Sequence, residues 1–180
     1  MSFYKLDDIE VNKNKLNALL VSRKFMLDVE NHQFLKTNFP EKSCLLLAQN
    51  FDYFIKNLSE IAVENYELIG LISASELDHS QKMDLIKVTP DSLYDAGVAK
   101  TYCEYVLNRT RKNSLDIKLI KKILSFDFDQ GLKIRLFNRY SDQLDHASIV
   151  EIVSKMLGPQ KPVSNLVNNK HAVLTKDNES

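Results

Sequence analysis

A repeat with an interval of 51 residues constrains the fold of this chain more than any other feature of its sequence. When residues 115–157 are moved back by 51 positions, they fall on residues 64–106 with apolar and acidic residues in register. The coinciding pairs include Leu119 with Leu68, Ile120 with Ile69, Ile123 with Ile72, Asp129 with Asp78, Lys133 with Lys82, Leu136 with Leu85, Ile149 with Val98, Val150 with Ala99 and Leu157 with Val106. Coincidence at one offset over two long segments indicates a structural repeat.

Each copy of the repeat predicts short helices with one apolar face. Leu68, Ile69 and Ile72 follow the spacing of i, i+1 and i+4 that aligns side chains on one side of a helix. A unit of two or three such helices cannot bury these faces alone, whereas stacked units bury them in a continuous core. The sequence therefore predicts an all-α fold, an irregular HEAT- or armadillo-like helical repeat array of the α-solenoid type, in which residues 64–106 and 115–157 superpose.

A fainter copy precedes these two and sets the domain organisation. Cys44, Leu46 and Leu47 precede Met83, Leu85 and Ile86 by 39 residues, and this first copy is too short to contain a third helix. We predict a single helical-repeat domain over residues 1–157, with units at about 27–62, 63–113 and 114–157. Residues 158–180 are rich in Pro and Asn, and they are predicted to form an irregular tail.

Aspartates mark the predicted starts of the helices, because a carboxylate accepts hydrogen bonds from the open amides of the first turn. Pro40, Pro90 and the Gly158–Pro159 pair are predicted helix stops. Leu136 lies in the repeated apolar register and is predicted to be buried. The predicted N-cap residues are Asp28, Asp78, Asp95, Asp129 and Asp145.

The motifs of common catalytic sites are absent from the sequence. It contains no phosphate-binding glycine loop, no GxSxG and no HExxH, and its four histidines are scattered. Asp127 and Asp129 form a DxD sequence, which we interpret as a turn followed by a helix cap rather than a metal site. The sequence thus predicts a protein that is not an enzyme and that uses no cofactor and no metal.

The expected compartment is the cytoplasm. The N-terminal residues lack the basic and apolar pattern of a signal peptide, and no apolar run approaches the ~18 residues of a membrane span. We therefore predict no membrane insertion. Cys44 and Cys103 lie in apolar helical patterns and are predicted to be free thiols in a reducing compartment.

A basic segment is the one sequence feature that suggests a binding surface. Residues 109–139 contain nine basic and three acidic residues, although the formal charge of the chain is zero. One interpretation is a solvated face, with Arg109 and Arg139 favourably placed at helix C-termini. The other is a docking surface for an acidic protein or for a nucleic-acid backbone. The candidate partner-binding residues are Arg109, Arg111, Lys112, Lys118, Lys121, Lys122, Lys133, Arg135 and Arg139.

The sequence also resembles the C-terminal helical region of the YobI-like P-loop NTPases of bacteria. Leu27–Pro40 is similar to a VENFxFLxxxFP segment of that family, and 75–86 and 125–137 are similar to its LxSxLxxxxKLxLI repeats. The resemblance covers about residues 16–157, and the family's NTPase domain has no counterpart here. It implies a C-terminal part or a detached relative of such an NTPase, to which no nucleotide chemistry carries over.

Together these features predict a non-catalytic interaction or regulatory module that binds an unidentified protein partner. The alternative is a nucleic-acid-associated helical protein that uses the basic residues of 109–139.

Overall fold

The computed structural model describes residues 13–109 and 117–158, and all regular structure in these two ranges is helical. Short 3-10 helices lie at Asp91–Leu93 and Ser141–Gln143. The predicted all-α class is thereby confirmed, whereas Arg111, Lys112 and the predicted tail lie outside the described residues. The α-helices of the described ranges are α1 (Lys13–Val21), α2 (Val29–Asn38), α3 (Pro40–Gln49), α4 (Phe51–Lys56), α5 (Asn65–Ser73), α6 (His79–Val88), α7 (Ala96–Asn108), α8 (Ile117–Leu124), α9 (Gln130–Tyr140) and α10 (His146–Leu157).

All five predicted N-cap aspartates cap a helix. In each case the carboxylate accepts a hydrogen bond from the backbone N–H three residues later, at 2.7–2.9 Å. Asp78 forms a reciprocal capping box, because the Gln81 side chain accepts from the Asp78 backbone N–H. Caps of this kind contribute ~1 kcal/mol each to helix stability, so the helix starts are encoded locally in the sequence.

The predicted stop signals also act where the sequence places them. α2 ends at Asn38, and Pro40 then opens α3 at its first position, where no amide is needed. α6 ends at Val88, just before Thr89 and Pro90. Gly158 follows α10 with a φ of +67°, a left-handed conformation that glycine adopts without strain.

One continuous apolar core runs from Leu16 in α1 to Ile152 in α10. The main helix contacts join elements that are close along the chain, namely α2 with α3, α3 with α5, α5 with α7, α7 with α9 and α8 with α10. Leu136 on α9 is fully buried in this core, as predicted. Cys44 is half-buried and Cys103 is buried, and both are free thiols.

The order of elements in residues 65–108 recurs in residues 117–157. α8 ends 51 residues after the end of α5, and α9 begins 51 residues after the start of α6, as predicted, but the 3-10 helix and α10 begin 50 residues after the starts of their counterparts. The predicted pairing of Leu157 with Val106 is therefore wrong, since Leu157 is 66% exposed while Val106 is buried. Met156 occupies the equivalent, partly buried position, and Val150 is likewise exposed where Ala99 is buried.

Proline explains this change of register. Pro90 disfavours helical geometry at the residue before it, so two non-helical residues separate α6 from the following 3-10 helix. Ser141 stands at the equivalent position and adopts helical angles, so α9 runs directly into its 3-10 helix. Every residue downstream is thereby displaced by one relative to the first copy.

Candidate protein interaction surface

Tyr53 on α4 is a large aromatic side chain that the fold turns toward solvent. α4 places Phe51 and Phe54 in the core, and their i, i+3 spacing leaves Tyr53 on the opposite side, 55% exposed. Tyrosine is enriched among the residues that dominate the energetics of protein interfaces. Tyr53 is therefore the starting point for a candidate site.

An apolar groove of about 100 Å³ lies on one side of Tyr53. Val29 forms part of its wall and is 76% exposed, because it opens α2 directly after the Asp28 cap. Ile61 and Ala62 contribute from the irregular segment between α4 and α5. The full lining consists of Leu27, Asp28, Val29, His32, Gln33, Tyr53, Glu60, Ile61 and Ala62.

A polar cavity of about 230 Å³ adjoins the groove at the same tyrosine. It lies between the end of α1, the α3–α4 junction and the start of α6. Charged and amide side chains dominate its lining, so it is suited to a polar or charged group. The lining residues are Arg23, Ala48, Gln49, Asn50, Phe51, Asp52, Tyr53, Glu76 and Gln81.

Two backbone and side-chain irregularities occur at the edge of this polar cavity. Arg23 has a φ of +52°, an uncommon conformation for a residue with a side chain. Its N–H and the Gln49 Nε2 donate to the same Leu20 carbonyl oxygen, at 3.0 and 2.6 Å. The Gln49 Oε1 is buried and has no donor within the described part of the chain. Strained geometry of this kind is concentrated at functional sites.

Carboxylates outnumber basic groups around the two cavities. Asp28 and Glu60 line the groove, and Asp52 and Glu76 line the polar cavity, against the single guanidinium of Arg23. The Asp28 carboxylate is engaged in capping α2, whereas Asp52, Glu60 and Glu76 are exposed. The linings of the two cavities consequently carry a net negative charge.

A buried polar cluster adjoins the groove through His32, which belongs to the groove lining. His32 Nε2 lies 2.6 Å from Glu67 Oε1, and the second carboxylate oxygen accepts from the Glu64 N–H at 2.7 Å. Lys36 Nζ is 3.5 Å from the same Oε2. Burial favours a higher pKa for Glu67, but the hydrogen bonds from His32 and from the Glu64 backbone outweigh it, so the pKa lies below its ordinary value. Glu67 is thus an ionised carboxylate that joins α2 to α5.

Cys44 lies beside this cluster but is a poor nucleophile. Burial, together with the nearby Glu67 carboxylate, raises the pKa of the Cys44 thiol. The thiol donates to the Glu67 carbonyl oxygen at 3.6 Å. Since the thiolate is the reactive form of cysteine, the arrangement of His32, Cys44 and Glu67 suits a structural role better than nucleophilic catalysis.

The predicted basic surface is altered most by Lys133 and Arg139, which point inward. Lys133 is buried, and its Nζ donates to the Phe126 carbonyl oxygen at 2.9 Å. Arg139 donates to the carbonyl oxygens of Leu107 and Arg109 at the C-terminus of α7. Cations are favourable at a helix C-terminus, so Arg139 does complement a helix dipole, although that helix is α7 and not its own. These placements remove Lys133 from the candidate partner-binding surface and engage Arg139 internally.

Two further lysines of the basic segment form intramolecular ion pairs. Lys122 lies 2.5 Å from Asp91, donates to the Thr89 carbonyl oxygen at 3.1 Å and stands 4.0 Å from the Tyr94 ring centre. Lys121 is 3.3 Å from Glu151 of α10. Lys118 and Arg135 are exposed, and Arg109 is half-buried near the Tyr105 ring. The basic residues that the structure describes therefore join neighbouring helices at several points and do not form one open face.

Asp127 and Asp129 do not belong to any cluster of three or more potential metal ligands, and residues 13–109 and 117–158 contain no such cluster. Within the same ranges, no helix combines the length and the apolar character needed to cross a bilayer. No protein-family model, curated protein or solved structure matches this chain.

The sequence alone did not identify the Tyr53 surface or the buried cluster. His32 and Glu67 are separated by 35 residues, and only the packing of both α2 and α5 on α3 brings them together. A local signal for Tyr53 did exist, because Phe51 and Phe54 predict a buried face that excludes it. The spacing alone cannot show that Val29, Tyr53 and Ile61 line the same groove.

Proposed function

We propose that this chain is a non-catalytic interaction module that binds a protein partner at the surface around Tyr53. The observation that carries the proposal is the exposure of Val29 (76%) and Tyr53 (55%) in the lining of one groove. Water-exposed apolar groups that share a concave surface favour association, since binding removes their area from water. A rigid aromatic ring loses little conformational entropy on binding, which makes Tyr53 a suitable anchor.

The proposal includes a HEAT- or armadillo-like arrangement of the helices. The stepwise contacts between helices close in the chain, and the recurrence of element order in residues 65–108 and 117–157, are typical of stacked repeats. In such arrays each unit contacts mainly its neighbours, and the units together form an extended binding surface. The groove at Tyr53 belongs to the first unit of the array, and the polar cavity extends to Glu76 and Gln81 of the second unit.

The family context of the proposal is the C-terminal region of a bacterial YobI-like NTPase. Under this hypothesis the module is the partner-binding part or a detached relative of such a protein, and it works in the cytoplasm. The support is the resemblance of Leu27–Pro40 and of 75–86 and 125–137 to the family's segments. An upstream P-loop domain encoded in frame with this chain, or beside it in a genome, would be the corresponding finding.

Binding of nucleic acid through residues 109–139 has less support than binding of protein. Lys133 and Arg139 donate to backbone carbonyl oxygens, and Lys121 and Lys122 pair with carboxylates. A phosphate backbone would have to compete with these intramolecular contacts for the same ammonium and guanidinium groups.

Site-specific photocrosslinking tests the proposed surface. Benzoylphenylalanine is introduced at Tyr53 and, in a separate protein, at Tyr66, which is also exposed but lines neither cavity. We expect a discrete protein adduct in cell extracts for position 53 and none at that mass for position 66. Equal adducts at both positions, or none at position 53, would contradict the proposal. Circular dichroism of both proteins checks that the helices are retained.

A further inference from the structure

We infer that the Tyr53 surface recognises a basic segment of its protein partner, in which an aliphatic side chain enters the groove and a Lys or Arg side chain enters the polar cavity. This inference rests on the proposed function and adds the chemistry of the ligand to it. The partner segment passes Tyr53, because this residue belongs to the lining of both cavities.

The size and lining of the groove determine the apolar part of the ligand. Its volume of about 100 Å³ is smaller than the ~150 Å³ cavity that admits a benzene ring. Leu27, Val29, Ile61 and Ala62 present aliphatic walls. Leu, Ile or Val is therefore the expected anchor, and an aromatic ring would remain partly outside.

The excess of carboxylates determines the charged part of the ligand. The exposed residue Glu60 lines the groove, and the exposed residues Asp52 and Glu76 line the polar cavity, with Arg23 as the one Lys or Arg side chain in either lining. Complementary charge mainly accelerates association and selects partners, since an exposed ion pair changes affinity by about five-fold or less. We therefore expect the aliphatic anchor and Tyr53 to supply most of the affinity, and the carboxylates to select basic over acidic segments.

The polar cavity has room for the head of a long basic side chain. Its volume of about 230 Å³ exceeds that of the groove, and Asp52 and Glu76 contribute carboxylates to its lining. The Asn50 amide lies in the same lining, whereas the Gln49 Oε1 is buried. A guanidinium or ammonium group in this cavity would meet the Asp52 and Glu76 carboxylates.

A peptide-display experiment on the full chain tests the inference. The library contains 12-residue peptides with one fixed Leu, random neighbours and equal representation of basic and acidic residues. We expect selection on the wild-type protein to enrich peptides carrying Lys or Arg near the Leu, and selection on Tyr53→Ala to lose this enrichment. The best peptide is then labelled, and its affinity is measured by fluorescence anisotropy at two salt concentrations.

Charge-reversed variants provide the decisive comparison. Glu76→Lys and Asp52→Lys should each lower the affinity for the selected peptide by about five- to ten-fold, with a smaller effect at high salt. Asp84→Lys is the matched control, because Asp84 is exposed on α6 and lines neither cavity, and it should leave the affinity unchanged. Equal urea midpoints for the variants exclude unfolding as the cause.

The possible failures are distinguishable. Enrichment of acidic or neutral peptides that still depends on Tyr53 would overturn the charge inference and leave the proposed function intact. A lack of any enrichment, with a specific crosslink at position 53, would likewise overturn the inference about the ligand and leave the proposed function intact. Concentration-dependent dimerisation that Tyr53→Ala abolishes, without peptide binding, would identify a second copy as the occupant and overturn the inference. Absence of both enrichment and crosslink would reject the inference and the proposed function together.

Discussion

Gly70 of α5 lies so close to Cys44 of α3 that a Cβ atom at position 70 would be 2.5 Å from the Cys44 Sγ and 3.3 Å from its Cβ. This contact brings the backbone of α5 against α3, and the Cys44 thiol donates to the Glu67 carbonyl oxygen one turn earlier. The same approach places Glu67 within reach of His32 and Lys36. The absence of a side chain at Gly70 thus allows α3 and α5 to pack at this short distance.

Gly70→Ala is expected to destabilise the protein, although alanine is the better helix former. The gain in helix propensity is about 1 kcal/mol, whereas overpacking in a close contact costs about 1–3 kcal/mol. Gly97→Ala is the control, because a Cβ there would meet its nearest atoms at 3.4 Å and beyond. Urea unfolding should show a lower midpoint for Gly70→Ala and an unchanged or higher midpoint for Gly97→Ala.

Cys44→Ala should relieve part of the penalty, since it removes the Sγ atom that causes the closest contact. In a double-mutant cycle the two substitutions together are expected to cost less than the sum of their separate effects. Strict additivity within ~0.5 kcal/mol would contradict the proposed close contact.

Leu136→Ala is expected to cost about 2–5 kcal/mol of unfolding free energy, because the side chain is fully buried and a cavity remains. Ile134→Ala on the same helix serves as the comparison, since Ile134 is exposed. Chemical denaturation of both variants tests the assignment of the two faces of α9. Similar losses for both would show that the assignment is wrong.

Acid should weaken the junction of α2 and α5. The hydrogen bonds from His32 and from the Glu64 backbone outweigh burial and hold the pKa of Glu67 below its ordinary value of 4.5. A carboxyl group whose pKa is depressed by folding stabilises the fold above its unfolded pKa, and this contribution is lost as the pH falls through the folded value. The urea midpoint of the wild-type protein should therefore fall as the pH decreases below about 4.5, and the midpoint of the Glu67→Gln variant should fall less steeply.

Glu67→Gln should itself be less stable than wild type at pH 7, because it weakens a buried, charge-assisted network. Glu76→Gln, which removes an exposed carboxylate, controls for the loss of one charge. Parallel pH profiles for wild type and Glu67→Gln would argue against a role for Glu67 in acid sensitivity.

Arg139→Gln is expected to destabilise the protein by about 1–3 kcal/mol, since two carbonyl oxygens at the end of α7 lose a charged donor. Arg135→Gln on the same helix removes the same charge from an exposed side chain and should cost less than ~0.5 kcal/mol. Thermal or urea unfolding of the pair measures the difference. Equal effects would mean that Arg139 acts through net charge alone.

The elements of this fold that depend on nearby residues could be predicted from sequence. Asp28, Asp78 and Asp129 cap their helices, and Pro40 and Pro90 lie at helix boundaries, because capping and proline geometry act within a few residues. The burial of Leu136 followed from the apolar register. The register itself failed after Ser141, because a change from proline to serine altered the length of a junction.

Side chains that act between helices could not be predicted in this way. Lys133 and Arg139 have the composition of a solvated face, yet each finds an acceptor on another segment of the chain. Lysine and arginine have long apolar stems that can be buried while the charged end reaches a carbonyl oxygen. Where such a side chain ends depends on the distance to the next helix, which no local pattern records. The Tyr53 surface depends on tertiary packing in the same manner.

The inward-pointing cations have a consequence for how the chain tolerates mutation. Lys133 donates to the backbone carbonyl oxygen of Phe126, and Arg139 donates to those of Leu107 and Arg109. A carbonyl oxygen is present whatever residue carries it, so each of these contacts has one substitutable partner and one invariant partner. Loss of the cation cannot be compensated by a second change at the acceptor position. We expect positions 133 and 139 to vary independently of their acceptor positions among related chains, so that pairwise covariation would miss these contacts.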